Sequence, residues 1–196
     1  MRKLHLSLLP ALLLALALGL SACGGSGSDD ESKIEEAIEI SASSNPAACT
    51  KYQTQHFVEQ TSEASGKAAV KECEEEAENG EAPESASVSN VEVNGSKATA
   101  EAALTGSVFD GQAVEIALVN EGGQWKMNEI VKFTKLDQAK LVESFEQELS
   151  KASNEVSPKF AACFIEAFEQ ADQGEIEAML FGGNEKAFEE IAGNCS

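Results

Sequence analysis

In four runs between Val91 and Met127 the apolar residues recur at every second position, and on either side they recur at every third or fourth. The first period is that of a strand with one buried face, the second that of a helix with one buried stripe. Ahead of the alternating stretch, Asp30 can cap a helix running to about Ala42, with Ile34, Ala37, Ile38 and Ser41 at helical spacing. Ser41 to Asn45 break it, and Asn45-Pro46 starts a second helix with a cap and a first-turn proline. On that helix Cys49, Tyr52 and His56 share one side, with Phe57 adjacent. Ser65-Gly66 introduces a helix from Lys67 to Glu78 that carries Cys73, and Asn79-Gly80 and Pro83 end the helical part.

The period then changes to two. Val91 and Val93 lead into Asn94-Gly95, a hairpin signal because both turn positions want positive φ. Ala98, Ala100, Ala102 and Leu104 alternate with Thr99, Glu101, Ala103 and Thr105. After Asp110-Gly111, Val114, Ile116 and Leu118 alternate with Glu115, Ala117 and Val119. Glu121-Gly122-Gly123 turns the chain into a fourth strand opened by Trp125 and Met127, whose phase changes near Glu129-Ile130 as at a bulge. The expected fold is α+β: N-terminal helices packed on a curved four-strand antiparallel meander. From Leu136 the helical period returns. Leu141, Phe145 and Leu149 lie four apart, and Ser157-Pro158 starts a helix with Phe160, Cys163, Phe164, Ala167 and Ala171 at core spacing. Gly182-Gly183 separates Ile176, Met179 and Leu180 from Phe188, Ile191 and Cys195. Residues 134–196 are expected to form an all-α, disulfide-closed C-terminal module, which can pack on the sheet.

Helices followed by a meander ending in Asn120-Glu121-Gly122-Gly123-Gln124-Trp125-Lys126-Met127 resemble the NTF2-like (cystatin-like) domains of many bacterial lipoproteins. In those domains a late hairpin reads apolar-x-apolar, an acidic-glycine turn, then Trp-Lys-apolar. Asn45-Pro46-Ala47-Ala48-Cys49 with Thr54 and Phe57, answered by Cys73, is similar to a disulfide-bearing subset of them. The resemblance covers residues 31–133 and implies helices on a curved sheet around a cone-shaped cavity. Enzymes, transport factors and inert spacers share this fold, so it carries no activity with it.

The amino terminus speaks to address. Arg2 and Lys3 precede an apolar stretch from Leu6 to Leu20, short for a bilayer core of ~30 Å, so residues 1–22 read as a signal peptide removed after export. Leu20-Ser21-Ala22-Cys23 resembles the lipobox of bacterial lipoproteins, which implies a thioether-linked diacylglycerol on Cys23 and cleavage before it. Two acyl chains at ~0.8 kcal/mol per buried methylene anchor stably where one does not. Gly24-Gly25-Ser26-Gly27-Ser28 reads as a flexible tether, placed at residues 23–30. The expected location is the extracytoplasmic face of a bacterial membrane, with the membrane itself a partner through the lipid on Cys23.

Loss of Arg2 and Lys3 takes the formal charge from −20 to −22, which excludes nucleic acid as a partner. The run Glu72-Cys73-Glu74-Glu75-Glu76-Ala77-Glu78 reads as a solvated face, since it lacks the spacing and central glycine of a calcium loop. With Cys23 assigned to lipid, Cys49, Cys73, Cys163 and Cys195 remain, an even count that favours disulfides in an exported chain. Three connectivities are open. Cys49–Cys73 and Cys163–Cys195 are preferred because each pair falls within one compositional segment, for roughly 3–4 kcal/mol of chain-entropy stabilisation each.

Little in the chain points to catalysis. His56 is the one histidine of the mature chain, too few for a zinc site, and no Gly-x-Ser-x-Gly elbow, phosphate loop or dinucleotide fingerprint is present. No metal and no cofactor are expected. The inward face of the cone is small and apolar, and Ile116, Leu118, Trp125 and Met127 are its candidate pocket residues, with Trp125 first a core residue. The expected function is a non-catalytic binding or scaffolding module of the cell envelope, with an unknown envelope protein or small ligand as partner. The alternatives are a small-molecule pocket in the cone, or a hydrolase or isomerase built on His56.

Overall fold

The computed structural model describes residues 26–62, 64–79, 84–106, 108–151, 157–182 and 195. The signal segment, Cys23, Gly24, Gly25, Gly80, Pro83, Gly183, Phe188 and Ile191 lie outside the described residues. The chain is α+β. Four helices come first: α1 (Ser26–Ser41), α2 (Ala48–Lys51), α3 (Gln55–Thr61) and α4 (Lys67–Asn79). Strands β1 (Ser85–Asn94), β2 (Lys97–Thr105), β3 (Ala113–Glu121) and β4 (Gln124–Lys135) follow, then α5 (Gln138–Lys151), α6 (Pro158–Gln170) and α7 (Gln173–Leu180). The strands form one antiparallel sheet in the order β1-β2-β3-β4, the meander read from the alternation.

Helix α1 starts four residues before the expected cap, so residues 26–30, assigned to the tether, are its first turns. An i,i+4 pair, Lys33 Nζ on Asp29 Oδ2 at 2.6 Å, and two acids near the positive helix end suit this start. Asp30 is therefore no cap. Its Oδ1 accepts the indole proton of Trp125 at 3.0 Å, tying α1 to β4. Beneath the helix, Ile34, Ala37 and Ile38 are buried in the main core.

The expected single helix from Asn45 through Phe57 is two short helices, the first starting only at Ala48 without a side-chain cap, with an extended link at Gln53–Thr54 between them. Thr54 ends the link by capping α3, its side chain accepting from Phe57 N. The link lies beside β4: Thr54 N donates to Met127 O at 2.9 Å and Met127 N to Tyr52 O at 2.8 Å. These main-chain bonds are available only to an extended segment, and they outweigh the helical pattern. The break separates His56 from Cys49 and Tyr52, which stay buried while His56 faces solvent.

Both outer strands are irregular. β1 begins at Ser85, six residues ahead of the alternation at Val91, because a bulge changes its phase. Ser89 faces Glu101 and Glu92 faces Thr99, with Asn90 at φ +52° in the extra position. Ala86 and Val88 therefore share the inward side with Val91. The first hairpin turns on Gly95-Ser96 and not on Asn94-Gly95. Asn94 still pairs with Lys97, and Gly95 alone takes positive φ. In the last hairpin Gly122 and Gly123 both have positive φ, the mirror-image turn that fits strand twist. The expected phase change in β4 is threefold: Asn128, Val131 and Thr134 are each inserted against β3. Repeated bulging bends the strand strongly.

The C-terminal helices share the hydrophobic cluster of the sheet. Leu141, Val142, Phe164, Ile165, Phe168, Ile176 and Phe181 belong to one buried set with Ile116 and Trp125. Ser157 caps α6 by accepting from Phe160 N, and Asp172 and Glu175 form a reciprocal capping box on α7. Phe145 and Phe164 pack on Phe168 at centroid distances of 5.0 and 4.9 Å, while Phe181 meets Phe133 at 4.8 Å. The disulfides are Cys49–Cys73 and Cys163–Cys195, the preferred pairing.

Glutamine side chains join these parts in ways no sequence period reveals. Gln60 exchanges two bonds with the Ile130 main chain, at 2.7 and 2.9 Å. Glu177 accepts from Phe133 N and Gln173 donates to Phe133 O. With the link at Met127, the outer edge of β4 is thus satisfied at every third residue, a spacing set by the bulges. A covered edge does not template pairing with another chain. Gln112, almost fully buried, clips the start of α5 through Asp137, and Gln138 donates to carbonyls at the end of α6.

Candidate functional site

The inward faces of β2, β3 and β4 are apolar along their length, but the space above them is filled at one end only. There Trp125 and Leu118 are buried, Trp125 with no exposed surface and bonded to Asp30 of α1. Toward the other end lies a cavity of about 730 Å³. Its floor includes Ile116, Val114, Met127 and Ile130, and its walls include Ile38, Phe57, Leu104 and Phe109. The Cys49–Cys73 disulfide forms part of one wall, and Glu76, Glu148 and Lys151 stand at the rim. Drug-sized ligands occupy apolar cavities of roughly 300–1,000 Å³ that carry a few placed polar groups.

One polar side chain meets that description. Gln53 is 7% exposed and sits in the extended link, with both flanking residues hydrogen-bonded to Met127. Its direction into the cavity wall is therefore set by the backbone. Its Oε1 lies 3.4 Å from Cys73 Sγ, a sulfur that has no proton to donate because it is in a disulfide. Its Nε2 makes no hydrogen bond among the described residues. Ser41, on the last turn of α1, lines the same cavity, and its Oγ is buried without a hydrogen-bond partner. A buried hydroxyl left in this state costs about 1–3 kcal/mol, and with almost no accessible surface it lies within the packed wall, out of reach of a cavity occupant.

Of the four candidate pocket residues, Ile116 and Met127 line the cavity, whereas Leu118 and Trp125 belong to the filled end. Alternation placed all four on one face, but the distinction depends on where α1 runs. Gln53 carried no signal as a site residue. A polar residue between Tyr52 and Thr54 reads as the solvent side of a helix until the link is known to be extended.

No family model, no curated protein and no solved structure matches the chain.

His56 is exposed and is not part of the cavity lining. Glu115 points away from the cavity, to Lys132 Nζ at 3.4 Å. Lys51, outside the cavity, has its pKa raised by the bond from its ammonium to the Tyr52 hydroxyl at 2.8 Å and by the charge interaction with it. That ammonium is fully formed at neutral pH in any case, so the shift changes no charge there. Among the described residues no group of three or more His, Cys, Asp or Glu is placed to hold a metal ion. No described helix is long and apolar enough to cross a membrane.

Proposed function

We propose that the chain is an exported lipoprotein, anchored through lipid on Cys23, that holds a small molecule in an NTF2-like cone between its sheet and its helices. The observation that carries this reading is the open, mainly apolar cavity of about 730 Å³ at one end of the sheet, where a scaffolding module would be filled. Helices packed across a bent antiparallel meander support the NTF2-like resemblance. Two disulfides fit an oxidising compartment outside the cytoplasm. The role is non-catalytic: the sole mature histidine is on the exposed side of α3, and the acids near the cavity are at its rim.

The test has two parts. Detergent phase partition should place the wild type in the detergent phase and Cys23→Ala in the aqueous phase or in uncleaved precursor; equal membrane retention would remove the anchor. Protein purified from its host membrane should release a small molecule on solvent extraction. Ile116→Trp, which fills the cavity floor, should release none. Identical extracts from folded wild type and variant would remove the pocket.

A further inference from the structure

Taking the cavity as a binding site, the further question is which chemistry it selects. Among the described residues, the interior offers no full charge. Its acidic residues, Glu76 and Glu148, are at the rim, and the rim cation, Lys151, is held by Glu148 Oε1 at 2.7 Å. A carboxylate or phosphate carried inside would lose its hydration and find no cation, and it would first have to approach a strongly acidic protein. What the wall does offer is neutral. The Gln53 carboxamide is positioned by the main-chain bonds of the residues on either side and lies against the disulfide, with its Nε2 making no hydrogen bond among the described residues. A carboxamide can present either its N–H or its carbonyl oxygen.

We propose that the cavity selects a neutral, largely apolar molecule carrying a hydroxyl or amide-like group, and that Gln53 is the specificity residue that hydrogen-bonds this group. The apolar body lies over Ile116, Val114 and Met127 and against Phe57 and Leu104. Gln53 discriminates because a site built around a buried hydrogen-bonding group rejects molecules that leave it unpaired. The same chemistry is available from a membrane, as a single-chain neutral lipid, and from the surrounding solution.

The experiment is native mass spectrometry of the full-length lipidated protein, incubated at pH 7 with monooleoylglycerol or with oleate. The two share an acyl chain and differ in head group. Monooleoylglycerol should be retained at least about tenfold better than oleate, the factor corresponding to ~1.4 kcal/mol. Gln53→Leu should reduce its retention roughly three- to tenfold, as expected for one net hydrogen bond. Gln53→Glu should reduce it further. Circular dichroism and intact disulfides establish that each variant is folded. Equal retention of oleate, or unchanged retention by folded Gln53→Leu, overturns the proposed selectivity while leaving the cavity as a site. Retention of monooleoylglycerol that is unaffected by Ile116→Trp places the lipid outside the cavity and overturns the binding reading beneath it. Uptake from phosphatidylcholine vesicles carrying the anchored protein assigns the ligand to the membrane. Uptake from detergent solution alone assigns it to the aqueous phase.

Discussion

Two ends of one sheet face are made from the same alternation of apolar residues, yet one is solid and the other hollow. At the solid end Trp125 and Leu118 are fully buried in the cluster that also holds Ile34 and Ala37 of α1, and the one polar group of the indole is matched by Asp30 at 3.0 Å. At the hollow end Ile116 and Met127 carry side chains just as apolar and nearly as buried, but border a cavity of about 730 Å³. Two features divide them. α1 runs out at Ser41, on the cavity wall, so no further turn of that helix lies above Val114. Beyond Met127, β4 also takes three inserted residues, and its outer edge there is bonded to Gln60 of α3 and Glu177 of α7. Apolar pattern thus determines which face is inward, and the path of the covering helix determines whether that face is core or pocket.

The largest effect that separates the ends is expected at Trp125. Trp125→Ala removes a fully buried side chain and should cost about 3–5 kcal/mol in denaturant unfolding. Ile116→Ala borders space that is already open and should fall at the low end of the roughly 2–5 kcal/mol range for such truncations. Equal losses would mean that the two ends are packed alike. Next comes Cys49→Ser combined with Cys73→Ser. Losing a cross-link with a sequence separation of 24 should cost about 3 kcal/mol. Because this disulfide is in the cavity wall, retention of monooleoylglycerol should fall while Trp125 keeps the blue-shifted emission of a buried indole. A red shift at Trp125 would show that the solid end depends on the disulfide as well.

Smaller effects sharpen the division. Asp30→Ala leaves the buried Trp125 N–H without its acceptor and should cost about 1–3 kcal/mol without changing ligand retention. A loss of retention equal to that of Gln53→Leu would show the two ends to be coupled. The smallest effect is expected at His56, which touches neither end. His56→Ala should change stability by no more than about 0.5 kcal/mol and leave both retention and complementation in the native host intact. A folded, normally abundant variant that fails to complement would return catalysis to consideration.

The sequence alone determined the α+β class, the meander order, the inward residues of β2 and β3 and the helix start at Ser157, and it favoured the observed pairing among the three open to the four described cysteines. These features are local: a period of two or 3.6, a cap, a proline, or a short loop between cysteines in one segment. Other features were decided by contacts between residues far apart in the chain. The extended link at Gln53–Thr54 is paired with the Met127 main chain of β4, about seventy positions away, and this break in the helix separates buried Gln53 from exposed His56. The early start of β1 was hidden because the bulge at Asn90 shifts the alternation by one, and a one-residue shift exchanges the faces of a strand. The split between Trp125 and Ile116 was hidden for the same kind of reason. Both follow one alternation, and what separates them is the end of a helix more than seventy residues earlier, held in place by a hydrogen bond from Trp125 to Asp30. Periodicity records which side of an element avoids water, but whether that side meets other side chains or an open space depends on how distant elements bend and where they stop.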